Sequence, residues 1–236
     1  TVEIEVLKPV RLVPKIDALY FTGGSALGLA SFKGVQNYLI DQGIGYDTGN
    51  AKIPIVPGAV IYDIGEDDEI VIPDEKMAYA SAENAMDGHF QEGPVGAGTG
   101  ATVANMFGPE HLTRGGLASM AARTPDDVTV GVLVVANPFG GIYDRAASRW
   151  IAGQENYEKT LLYQSPEELW QSNTTLVAIA TDASLTKEEC IKVSEMSQDG
   201  FARAIYPAHT MFDGDLSVTL SAGKREGNIN GIGHAS

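Results

Sequence analysis

Cysteine occurs once in 236 residues, at position 190, which excludes an internal disulfide framework and any thiolate zinc cluster. Histidine is nearly as scarce, and its four scattered copies show no HExxH-type spacing, so neither a metal nor any other cofactor is expected. Positive charge is also in short supply. Lysine and arginine number 16 against 31 acidic residues, a formal charge of −15, the wrong sign for neutralising phosphates, and nucleic acid is excluded as a partner. Long apolar runs are missing too: the best, Val128 to Ala136, falls well short of the roughly 20 residues a bilayer demands. No membrane association is expected. The first residue is Thr1 and no basic start leads into an apolar stretch, which places the expected protein in the cytoplasm. The length suits one domain with an ample core.

Glycine, by contrast, is in excess, at 27 of 236 residues, or about 11% where about 7% is usual. Ile16 to Phe21 is apolar and runs into Thr22-Gly23-Gly24-Ser25, after which Leu27, Ala30, Val35, Tyr38 and Leu39 recur at helical spacing until Gly43. That pattern predicts a strand, a glycine turn and a helix. Ile53 to Ile64 reads as extended with two prolines, Asp63 to Asp68 as an acidic turn, and Asp74 to Met86 as helical. Gly93 to Gly100 carries too many glycines for a helix or strand interior. Val128 to Ala136 and Thr174 to Thr181 are apolar on both alternate sets, as in strands covered on both faces. Ser148 to Ser172 is polar and irregular. Thr186 with Glu189 forms a capping box for a helix. Leu216 to Leu220 closes as a strand, and the tail after Gly223 reads as loose. Central strands of this kind with helices between them predict an α/β layered fold.

Two glycine motifs admit a bland reading. Gly96-Ala97-Gly98-Thr99-Gly100-Ala101 imitates a dinucleotide fingerprint, but Phe90 to Pro94 stands where the required strand should be, which favours a structural loop. Thr22 to Gly28 imitates a nucleophile elbow, yet Leu27 replaces its last glycine. Ser25 is expected to be a helix cap instead. Asp213-Gly214-Asp215 sets two carboxylates at i and i+2, on one face if they begin the last strand. Such a pair can orient a base or nucleophile, although Asp-Gly is also ordinary turn chemistry. His209 reads as a packed or surface residue. At Asn173-Thr174 a polar stretch meets a buried strand. Thr174 is there either a strand-favouring residue or, if the chain is cut before it, a nucleophile whose own α-amine acts as base.

The blocks Leu19 to Leu29, Ile53 to Asp63, Gly96 to Val103, Gly131 to Asn137, Asn173-Thr174 and Ala180 to Ala183 together resemble the family of β-peptidyl aminopeptidases and L-aminopeptidase/D-esterases, which are N-terminal-nucleophile hydrolases. Asn137 to Gly140, Asn173 to Thr175 and His209 to Asp215 are most similar to its nylon-oligomer hydrolase branch, the 6-aminohexanoate-oligomer endohydrolases. The peptidase branch uses serine where this chain has Thr174.

The resemblance implies a four-layer αββα sandwich and self-cleavage at Asn173-Thr174 into an α chain, 1–173, and a β chain, 174–236. It further implies that Thr174 attacks amides, that Asp213 and Asp215 orient its amine and hydroxyl, and that Tyr62 and Asn137 contact the scissile carbonyl or its oxyanion. On that basis Asn137→Ala is expected to depress turnover and leave the chain folded. Where the family's glycine block continues with Gly-Lys, this chain has Ala104-Asn105, so Asn105 meets the substrate with hydrogen bonds and no charge. The partner implied is a small linear amide or peptide-like substrate, and the assembly a homo-oligomer, a dimer or tetramer of αβ units. Two alternatives stay open. One is an aminopeptidase acting on β- or D-amino-acid peptides, amides or esters; the other is a non-catalytic relative that binds a small ligand on the same scaffold.

Overall fold

The computed structural model describes residues 1–64, 71–155 and 173–236. Its centre is a four-stranded sheet made of β3 (Gly116–Arg123), β4 (Thr129–Ala136), β7 (Leu176–Ala183) and β9 (Leu216–Arg225), in the order β9-β7-β4-β3. β4 pairs antiparallel with both β3 and β7, while β7 and β9 run parallel and are joined through helix α3 (Lys187–Ala204). The two segments expected to be apolar on both faces are therefore the two inner strands. One face, with Val130, Val177 and Ile179, packs on Val193 and Phe201 of α3 and on Ile232 of α4 (Ile229–Ala235). The opposite face, with Val135 and Leu176, packs on Ala59, Ile61 and Ala101.

Ala59 belongs to β2 (Gly58–Val60), which lies parallel to β1 (Tyr20–Thr22). Tyr20, one residue from Phe21 in register, turns the other way and packs with Val35 and Leu39 of α1 (Phe32–Asp41) and Ala78 of α2 (Glu75–Glu83). The α/β expectation is met, with three apolar interfaces: between the sheet and α3 with α4, between the sheet and the β2 segment, and between β1 and α1 with α2. A smaller sheet of β5 (Gly141–Asp144), β6 (Arg149–Ala152) and β8 (Ile205–Tyr206) flanks the main one.

Several local expectations are corrected. The first strand starts at Tyr20 and not at Ile16. Ser25 caps nothing: Gly24 occupies the N-cap position of the turn Ser25–Gly28, Ser25 has φ of 52°, and no side chain caps the turn. The tail is not loose, because Asn228 accepts hydrogen bonds from the amides of Asn230 and Gly231 and starts α4, whose Ile232 is fully buried. Strand β9 runs on to Arg225, past the expected Leu220. The Thr186–Glu189 capping box forms in both directions. Most of the acidic turn ending at Asp68 and most of the polar stretch ending at Ser172 lie outside the described residues.

Asp63 explains part of the glycine excess. Its carboxylate accepts the Gly24 amide at 2.6 Å, and a Cβ at Gly23 or Gly100 would lie 2.3 or 2.7 Å from its Oδ2. Both glycine turns close on one carboxylate, and that closure fixes the chain just after Tyr62.

Candidate active site

Main-chain hydrogen bonds hold the Asn173–Thr174 junction at the entry to β7. The Asn173 amide donates to the Phe212 carbonyl at 2.8 Å, and the Thr174 amide donates to the Asn137 carbonyl at 2.8 Å. The Asn173 carbonyl receives two donors, the Gly214 amide at 2.8 Å and the Thr174 hydroxyl at 2.5 Å. Both residues are buried. The nucleophile candidate thus lies against the carbonyl of the bond preceding it, and a backbone N–H is aimed at the oxygen that would gain charge on attack. Gly214 is required by space, since a Cβ there would stand 2.8 Å from Thr174 Oγ.

The two carboxylates precede β9 instead of beginning it, and their oxygens have fixed partners. Asp213 accepts the Phe139 amide at 3.0 Å through Oδ1, and the Thr210 amide and hydroxyl at 3.0 and 2.7 Å through Oδ2. Asp215 accepts the Thr175 amide at 2.8 Å through Oδ1 and faces His209 Nδ1 at 2.8 Å through Oδ2. Burial, followed by repulsion from Asp213, raises the Asp215 carboxyl above the usual carboxylate range, while bonds from Thr175 and His209 oppose the rise. Among the described residues the buried Thr175 hydroxyl finds no hydrogen-bond partner.

Asn137 is fully buried. Its Oδ1 accepts the Thr102 amide at 2.9 Å and its Nδ2 donates to the Tyr62 carbonyl at 2.9 Å. One residue therefore ties the glycine loop, the segment after β2 and the end of β4 to the junction. Truncation in Asn137→Ala would leave the Thr102 amide and the Tyr62 carbonyl without this partner, which lowers the stability of the chain. Tyr62 reaches Asn137 through its carbonyl, while its residue surface is 37% exposed. Asn105 accepts the Thr102 hydroxyl at 3.0 Å and donates to the Thr102 and Pro138 carbonyls, each at 3.2 Å. It braces the same loop. Sequence reading missed Gly214, Thr102 and His209 as parts of this arrangement; the glycine between two acids was the available signal for the first.

Among the described residues no three histidine, cysteine or acidic side chains group as a metal site, and no helix is long and apolar enough to cross a membrane.

Residues 1–233 match the description of peptidase family S58. The chain belongs to that family. A protein of Mycobacterium leprae named as an uncharacterized aminopeptidase is 35% identical over 96% of this chain and 65% of its own. The 6-aminohexanoate-oligomer endohydrolase of Kocuria sp. strain KY2 is 30% identical over 86% of this chain and 60% of its own. Among solved structures, the L-aminopeptidase D-Ala-esterase/amidase of Ochrobactrum anthropi, a variant of the Ntn-hydrolase fold, aligns with a TM-score of 0.60 at 17% identity over 91% of this chain and 62% of that one. The PH0078 protein of Pyrococcus horikoshii aligns at 0.52 with 27% identity over 83% and 50%. The fold is of that Ntn-hydrolase type and membership supports hydrolase chemistry. The S58 chain spans about two thirds of the length of its curated relatives.

Proposed function

We propose that this chain is the precursor of an amide hydrolase with an N-terminal threonine, cutting itself between Asn173 and Thr174 into residues 1–173 and 174–236. The observation that carries the reading is the junction itself, where Thr174 Oγ and the Gly214 amide converge on the Asn173 carbonyl. Attack of Oγ on that carbonyl carbon breaks the C–N bond, leaves an ester on Oγ and frees the Thr174 nitrogen as an amine. Water then hydrolyses the ester and Asn173 keeps a carboxylate. The freed amine starts from a position bonded to the Asn137 carbonyl.

In turnover the same hydroxyl attacks a substrate amide while the α-amine takes its proton, and an amine leaves. The acyl ester on Thr174 then yields to water. Asp213 and Asp215 orient the nucleophile's segment, and Asn137 and Tyr62 line the position of the oxyanion. Asn105 supports the substrate side without a charge. The substrates in this reading are linear amides such as 6-aminohexanoate oligomers, the compounds named for the Kocuria relative. The succession of helices, sheet, strand pair and helices is read as the frame of a four-layer αββα sandwich. Strand β3, outermost in the sheet and with Met120 78% exposed, is the surface through which cut units would pair as dimers or tetramers.

A second reading, an aminopeptidase for β- or D-amino-acid substrates, is favoured by the name of the 35% identical relative. Intact-mass measurement tests the main reading: two chains divided after Asn173, and one uncut chain for Thr174→Ala, are expected. An active but uncut protein overturns it. Amides blocked at the amino end separate the two readings, because an aminopeptidase rejects them and an endohydrolase does not.

A further inference from the structure

His209 and Asp215 form a pair that the scheme above leaves unused. The Asp215 side chain is 5% exposed and the His209 ring 39%, and their facing atoms are 2.8 Å apart. The other Asp215 oxygen accepts the amide of Thr175, the peptide unit on the carboxyl side of Thr174. A line of contacts therefore runs from solvent through imidazole and carboxylate to the backbone that carries the nucleophile. Position 105 carries no cation, and Asn105 spends its amide on the Thr102 and Pro138 carbonyls.

We propose that His209 is a positioning residue of this site, its imidazolium holding Asp215 as a carboxylate so that Asp215 keeps the Thr174–Thr175 peptide unit fixed for attack. The inference rests on the self-cleavage reading above. A buried carboxylate beside a second one loses charge readily, and a charged acceptor holds an N–H about twice as strongly as a neutral one. Among the described residues the charged groups that act on Asp215 are Asp213, which opposes its ionisation, and His209, which favours it. From α3 the ring meets Phe201, uncharged, with centroids 5.1 Å apart.

Backbone geometry supplies a clean variant. His209 has φ of 54°, a left-handed conformation that asparagine tolerates, and an asparagine amide nitrogen reaches the place of Nδ1. His209→Asn thus keeps a donor and removes the charge. In the uncut Thr174→Ala chain this substitution is expected to lower the melting temperature by a margin that varies with pH, because it keeps the hydrogen bond and removes only the ion pair. Adding Asp215→Asn should abolish that pH dependence. A difference constant across pH marks a merely structural hydrogen bond and overturns the proposal.

With Thr174 intact, the chain is made by cell-free translation and shifted to a set pH. His209→Asn should slow appearance of the 174–236 fragment by at least about threefold near pH 5.5 and by under about twofold near pH 8. Equal ratios at both pH values sink this inference alone. A wild-type chain that never cuts sinks the reading on which it rests.

Discussion

At the scale of single residues, the junction is governed by groups whose identity is chemical in one case and spatial in the next. Asn137 is chemical: its buried amide closes two part-buried bonds to main-chain groups. Its replacement by alanine is expected to cost about 2–4 kcal/mol, from two stranded partners at about 1–3 kcal/mol each with some relaxation. Denaturant unfolding of Asn137→Ala against wild type measures this, and an unchanged midpoint would show that the amide is not structural. Gly214 is spatial. A methyl group 2.8 Å from Thr174 Oγ must push the hydroxyl off the Asn173 carbonyl, so Gly214→Ala should slow self-cleavage at least about tenfold, about 1.4 kcal/mol of barrier. A time course of fragment appearance reads it directly, and a rate equal to wild type contradicts the packing described.

At the scale of elements, helix α3 sets how β9 and its preceding loop are delivered, since it joins β7 to β9 and Ser194 on it meets the β9 residue Thr219 at 2.7 Å. Its start depends on a reciprocal box, the Glu189 amide donating to Thr186 Oγ1 and the Thr186 amide to the Glu189 carboxylate. Thr186→Ala removes the cap and should lower stability by about 1 kcal/mol, a melting shift of about 2–4 °C in a chain of this size. Self-cleavage should be left close to wild type, because the cap sits at the end of the helix remote in sequence from Asp213 and Asp215. A cleavage defect larger than the stability loss would mean that the helix start is coupled to the junction. Periodicity alone made β4, β7 and α3 legible, since each carries its apolar residues at the spacing its own geometry demands. The short strands β1 and β2 were over-extended in prediction because prolines and glycines around them leave only three residues each to pair.

For the whole molecule, the proposed cut falls between two strands of one sheet. β7, beyond the cut, pairs with β4, before it, from Leu176 opposite Val135 to Thr181 opposite Val130. Separating the halves would also part Leu176 from Ala59, Ile61 and Val135, and Val128 and Val130 from Val177, Val193 and Ile232, at about 1.5–3 kcal/mol for each large side chain exposed. The cut protein should therefore elute as one species under native conditions and resolve into two only in denaturant; fragments that part spontaneously would contradict this sheet order. The sequence by itself determined the alternation that builds the inner strands, the capping box, the acid pair flanking a glycine and the threonine after Asn173, because each is a matter of residue type at short spacing. Tertiary structure decided that Gly214 points its amide at the Asn173 carbonyl, that Asn137 knots three segments, that His209 faces Asp215 and that the tail folds into α4. Those contacts join residues between 2 and 75 positions apart, and where the bonded atom belongs to the backbone, side-chain identity carries no trace of it.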